Sequence, residues 1–211
     1  SLKLSSTAFQ GFSYDANLVF RSHTTGNTLN LSDQSLSAEV YFDGSGGDWK
    51  LLTNLATSEG VHVEGGTFRS EGFAIDAYEF SSIPRNTRSI VLGDGGSNHS
   101  TINVDRWNLN SAPDVNGNLQ YNAKDPFLTF DAQLSVINVN ATFARCGIEE
   151  AYYVLKMNNA ASTQDLWAKR CQFKVLEFYG NGNMGSPSGG LDGMKVANHI
   201  LFSAGKSYDL N

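Results

Sequence analysis

Charge is scarce in this chain: only 17% of its 211 residues are Asp, Glu, Lys or Arg. The 15 basic side chains are outnumbered by 21 acidic ones, a formal net charge of −6, and no basic run occurs. That argues against a nucleic-acid binder, which needs lysine and arginine to neutralise phosphates. Cysteine is limited to Cys146 and Cys171, too few for a disulfide scaffold in a chain long enough to build its own core, so both are read as free buried thiols. No apolar run approaches the ~18–20 residues of a membrane-spanning helix. The opening Ser1-Leu2-Lys3-Leu4-Ser5-Ser6 also lacks the charged, apolar and cleavage regions of a signal peptide. The expectation is a protein of the extracellular space or a virion surface, without membrane insertion, either secreted and processed or assembled inside a host cell.

The usual catalytic signatures are missing too. There is no Gly-x-Ser-x-Gly elbow and no His-Glu-x-x-His, and His23, His62, His99 and His199 are isolated from one another and from the cysteines, so no transition-metal site is read. Gly205-Lys206-Ser207 resembles the end of a phosphate-binding loop, but Ile200 stands where the first glycine is required.

Polarity is carried instead by 23 Ser, 20 Asn and 21 Gly, about 30% of the chain and mediocre to poor helix formers. With 40% hydrophobic and 11% aromatic residues the chain can still bury a core. Alternation is the dominant signal. Leu36, Ala38, Val40 and Phe42 alternate with Ser37, Glu39 and Tyr41, which reads as one strand ending in the turn run Asp43-Gly-Ser-Gly-Gly-Asp48. Residues 73–80, 89–92 and 152–157 read as further strands, with Gly- and Asn-rich turns between them. One helical turn is read around 160–167, capped by Ser162 or Thr163. The chain is expected to be all-β and a single domain over 1–211.

An apolar-x-apolar pair followed four or five positions later by another apolar residue occurs five times, starting at Val61, Ile102, Ile137, Leu166 and Met194. A local phase kept across variable spacing is what a solenoid produces. The segments Ile137-Asn-Val-Asn-Ala-Thr-Phe-Ala-Arg-Cys-Gly-Ile148, 152–157 and Leu166-Trp-Ala-Lys-Arg-Cys-Gln-Phe173 resemble two coils of a right-handed parallel β-helix, the superfamily of pectate-lyase-like enzymes, phage tailspikes and bacterial adhesins. The resemblance covers about residues 58–205, the repeat region, with residues 1–57 a candidate separate N-terminal element. A β-sandwich or jelly roll stays open as the alternative, since alternating strands and Gly-rich turns produce much of the same pattern.

Stacking these five segments directly on one another puts His62, Asn103, Asn138, Trp167 and Lys195 in one outward column, with Glu64, Asp105, Asn140, Lys169 and Ala197 beside it. Amides with an exposed indole suit carbohydrate, so Trp167, Asn138, Asn140, Asn103 and His62 are the binding candidates, against the plain reading of a solvated face of laddered Asn side chains. If the protein is an enzyme, Glu64 and Asp105 would be the carboxylate pair of a glycosidase, and Lys169 the base of a polysaccharide lyase. Asp114, Asn116, Asn118 and Asp125 fall at EF-hand-like calcium spacings, but Leu119 replaces the required glycine and no helices flank the loop. No cofactor other than such a calcium is expected. The favoured function is a non-catalytic structural or recognition protein of a virion or cell surface, with a glycan or protein partner. Unpaired end coils point to a homo-oligomer, with a trimer as the expected form.

Overall fold

The structure is a computed structural model and describes residues 2–3, 17–82, 86–109, 124–184 and 193–210. In chain order the strands are β1 (Leu2–Lys3), β2 (Leu18–Phe20), β3 (Asn27–Asn30), β4 (Ser35–Leu36), β5 (Val40–Leu51) and β6 (Leu55–Thr57). They continue with β7 (Gly60–Arg69), β8 (Ile75–Ser82), β9 (Arg88–Val91), β10 (Thr101–Leu109), β11 (Leu128–Asp131) and β12 (Val136–Arg145). The last six are β13 (Ala151–Met157), β14 (Thr163–Trp167), β15 (Gln172–Phe178), β16 (Asn181–Met184), β17 (Lys195–Phe202) and β18 (Tyr208–Leu210). No described residue is helical.

Every strand pairing is parallel, between strands about one turn apart. The fold is a parallel β-solenoid, or β-helix, of about eight turns. A sandwich of antiparallel sheets is excluded. Each turn crosses three ladders. Ladder I contains β2, the first part of β5 and β7, the second part of β8, β10 and β12, then β14, β16 and β18. Ladder II is built from β1, β3, the second part of β5 and β7, β9 and β11, and continues with the first residues of β13, β15 and β17. Ladder III runs from β4 and β6 through the first part of β8, β10 and β12 to the second part of β13, β15 and β17. Strands within 18–57 are hydrogen-bonded into the same ladders as the rest.

Alternation decides what points inward. In ladder I the inward column is Val40, Val61, Phe80, Trp107, Ala144, Leu166 and Met184, all essentially excluded from solvent. Bulk alternates with its absence along this column: Phe80 stacks on Trp107 at 4.9 Å, and Ala144 leaves room on the indole's other side. In ladder III, Leu55, Ile75, Ile102, Ile137, Leu155 and Leu176 stack in register. Each such side chain contributes about 1.5–3 kcal/mol on burial. Where ladder II turns into ladder III, the wholly buried Ser70, Ser100 and Ser135 form a hydroxyl stack that also accepts the Gly93 and Ser100 amides.

The structure corrects three local expectations. The alternating run 36–42 is not one strand: β4 ends at Leu36, the chain turns a corner, and β5 begins at Val40. The glycine run 43–48 does not end a strand but forms the corner inside β5. The helical turn expected around 160–167 is strand β14, because Leu166 is needed as an inward residue of ladder I.

Candidate functional site

The five apolar-x-apolar motifs mark bends, not successive passes over one ladder. Val61 and Leu166 start in ladder I, Ile102 and Ile137 in ladder III, and Met194 leads into ladder II. The column drawn from them is therefore divided among three faces. His62 and Trp167 do share an outward column of ladder I, which reads Val19, Tyr41, His62, Ser81, Asn108, Arg145, Trp167. Asn103 and Asn138 stack on ladder III, where Asn138 donates to Asn103 at 2.8 Å and Asn103 to Asp76 at 2.7 Å. Asn140 follows that ladder, at the corner toward ladder I, and accepts from Asn158 at 3.3 Å. Lys195 is on ladder II.

The carboxylates Glu64 and Asp105 do not meet. Glu64 stands at the corner between ladders I and II in β7, whereas Asp105 stands at the corner between ladders III and I in β10. Lys169 follows β14 at a corner several turns further on. Of the calcium candidates, Asp114, Asn116 and Asn118 lie outside the described residues, and Asp125 is committed elsewhere. Its Oδ2 is 2.5 Å from NH2 of the wholly buried Arg88, and its Oδ1 accepts the Phe127 amide. Among the described residues no three His, Cys, Asp or Glu side chains converge as metal ligands.

The richest outward surface is ladder I from β12 to β18. Phe143 and Arg145 project from β12, Thr163, Asp165 and Trp167 from β14, Asn181 and Asn183 from β16, and Asp209 from β18. The Arg145 guanidinium lies 4.4 Å from the Trp167 ring centre and 5.2 Å from that of Phe143, and the two rings meet edge to face at 5.4 Å. The result is a half-buried aromatic platform with a fork of hydrogen-bond donors laid across it. Beside it opens a cleft of about 410 Å³, walled by Thr163, Asn181, Asn183, Ser207 and Asp209 and floored by Tyr208. Gly182 and its ladder partner Tyr208 alternate with these outward residues and face inward, where a side chain at 182 would approach the Tyr208 ring to 2.7 Å. The single Tyr208 hydroxyl proton is shared between the carbonyls of Phe178 and Ser203, at 3.4 and 3.3 Å.

At the other end of the same face a clasp joins three turns. His62 is hydrogen-bonded through Nδ1 to Ser81 Oγ at 2.6 Å and through Nε2 to Glu39, and its ring stacks on Tyr41 at 4.5 Å. The Gly60 amide also donates to Glu39. A methyl at 60 would collide with both the Glu39 carboxylate and the imidazole, so a side chain there would displace the clasp. Next to the clasp is a second cleft of about 290 Å³, lined by Asn17, Val19, Arg21, Tyr41, Asp43 and Glu64.

Serine, imidazole and carboxylate in sequence are the parts of a nucleophilic triad, but Ser81 is only 1% exposed, out of reach of any substrate. The contact acts as a structural clasp. Asp165 and Asp209 sit two ladder spacings apart, about 9.6 Å, at the outer limit for an inverting glycosidase. Asp209 is exposed and Asp165 only partly buried, so neither lies in a water-excluded apolar pocket. A buried carboxyl beside the Asp125 ion pair is found elsewhere: burial pushes Glu150 above its ordinary value near 4.5, only partly offset by Lys124 at 3.4 Å. Cys146 and Cys171 are free and buried. Burial, and then the neighbouring Cys171, push the Cys146 thiol well above its ordinary range, which makes it inert rather than nucleophilic.

The fold and surface define a parallel β-solenoid with an aromatic, amide-lined outward face. Comparison with protein-family models, with curated proteins and with solved structures finds no match to this chain.

Proposed function

We propose that this solenoid is a non-catalytic recognition protein of a virion or cell surface that binds glycan on the outward face of ladder I. Such a role groups it with β-helices of the adhesin and tailspike kind rather than with β-helix lyases. The observation that carries the reading is the Trp167–Arg145–Phe143 platform beside the cleft of Thr163, Asn181, Asn183, Ser207 and Asp209. Aromatic carbon surface meets the apolar side of a pyranose, while amides, hydroxyls, a carboxylate and a guanidinium exchange hydrogen bonds with its hydroxyls. Among the described residues, Ser81 is buried and Glu64, Asp105 and Lys169 stand apart, which favours binding over turnover.

The test is a panel of soluble polysaccharides measured for equilibrium binding and for release of reducing or unsaturated ends. Binding without release is expected, weakened at least tenfold by Trp167→Ala and largely restored in Trp167→Phe, with unfolding midpoints compared so that lost affinity is not lost fold. Release of ends would overturn the non-catalytic reading in favour of a β-helix lyase or hydrolase, and an absence of binding across the panel would overturn the glycan reading.

Self-association belongs to the same proposal. The last described rung leaves Ile200, Leu201 and Phe202 about 40% exposed on an unpaired strand edge, the kind of surface a second copy covers. A trimer by light scattering supports this part, and a clean monomer at micromolar concentration removes it.

A further inference from the structure

We infer that the two clefts of ladder I are subsites for one chain of a neutral glycan, held at both ends of the face rather than in its middle; this rests on the glycan reading above. The clefts open on the same outward face. Tyr41 of the N-terminal cleft and Trp167 beside the C-terminal one belong to one column and are five ladder steps apart, or about 24 Å at the spacing of parallel strands.

Between them the column is occupied by the clasp and by laddered side chains. His62 is engaged by Glu39 and Ser81, and Asn108 donates to Glu79 at 3.2 Å. Polar groups line a hollow at each end: Asn17, Arg21, Asp43 and Glu64 beside the Tyr41 ring at one, where Arg21 pairs with Asp43 at 3.2 Å, and Asn181, Asn183 and Asp209 at the other, near the Trp167 platform. Charge selects the ligand class. Two carboxylates face one guanidinium in the first cleft, a net negative charge, while the single carboxylate of the second is balanced by Arg145 on the adjoining platform, so a polyuronate or sulfated chain is repelled at the first cleft while carboxylates accept from the hydroxyls of an uncharged sugar. Two modest sites joined by one ligand bind through effective concentration, which raises affinity 10²–10⁴-fold only when the ligand spans them.

The experiment uses linear neutral oligosaccharides of graded length, malto- and cello-oligosaccharides first, titrated into the full chain and into two variants, Trp167→Ala and the double variant Arg21→Ala with Glu64→Gln. The double variant leaves the Tyr41–His62 stack in place but removes the Arg21–Asp43 ion pair, so unfolding midpoints are compared alongside affinities. The expected result is an affinity step of about a hundredfold when the sugar exceeds about 24 Å, with either variant returning long chains to short-chain affinity. Affinity independent of length, or a double variant that binds long chains like the parent while Trp167→Ala does not, would overturn the two-subsite inference and leave the glycan reading standing. An absence of binding at every length in the parent chain would overturn both.

Discussion

Asp125→Ala is expected to destabilise the protein by about 3–5 kcal/mol, because it strands a buried guanidinium. Arg88 has no solvent access; it reaches Asp125 Oδ2 at 2.5 Å, Ser82 Oγ at 2.5 Å and the Asn86 carbonyl at 3.4 Å. Ser82 in turn donates to the Val63 carbonyl, while the Arg88 amide bonds to the Phe127 carbonyl. The network thus ties the entry to β11 to the end of β8 and the start of β9, at the corner where the chain leaves ladder I after Leu109 and rejoins ladder II at Leu128. The urea midpoint measures the effect. Replacing both partners by apolar residues, Arg88→Met with Asp125→Leu, should recover most of the loss, since no unpaired charge remains. A single variant within 1 kcal/mol of the parent would mean that the ion pair does not hold this corner.

Trp107→Ala is expected to cost a similar amount, about 3–5 kcal/mol. The indole is wholly buried, stacks on Phe80 at 4.9 Å, contacts Phe130 and Tyr152, and donates to the Tyr152 hydroxyl at 3.5 Å. Its truncation opens a cavity beside Ala144, which is too small to fill it. Solenoid turns are stabilised chiefly by their neighbours, so amide exchange should accelerate first in β8, β10 and β12 and least in β2 and β16. Uniform acceleration along the chain, or a loss below 1 kcal/mol, would show that turns do not stack as separate nearest-neighbour units around this residue.

The all-β class and the solenoid were legible because inward residues of a stacked strand must alternate whatever the turn length, and Ile102, Ile137 and Leu166 keep that phase. Which ladder each segment joins was not legible. Along the outward column of ladder I, neighbours are separated by 19 to 22 residues where turns are short, but by 27 between Ser81 and Asn108 and by 37 between Asn108 and Arg145. Excursions at corners change the count without changing the phase, so segments from different faces looked equivalent. His62 and Trp167 therefore fell correctly into one column while Asn103 and Asn138 were wrongly added to it. The Glu39–His62–Ser81 clasp joins residues 23 and 19 apart in three different turns, and Asp165, Asn183 and Asp209 align across unequal intervals. No local motif announces either. Asp125 could be read from its oxygen-rich loop only as a ligand, because its true partner, Arg88, lies 37 residues away.

The most direct test of the central claim is the equilibrium affinity of the full chain for the neutral polysaccharide that scores highest in the panel, compared with that of Trp167→Ala at equal thermal stability. The account predicts saturable binding weakened at least tenfold by the substitution, with no sugar ends released. Equal affinities in the two proteins would contradict it, because the platform of Trp167, Arg145 and Phe143 would then play no part in recognition.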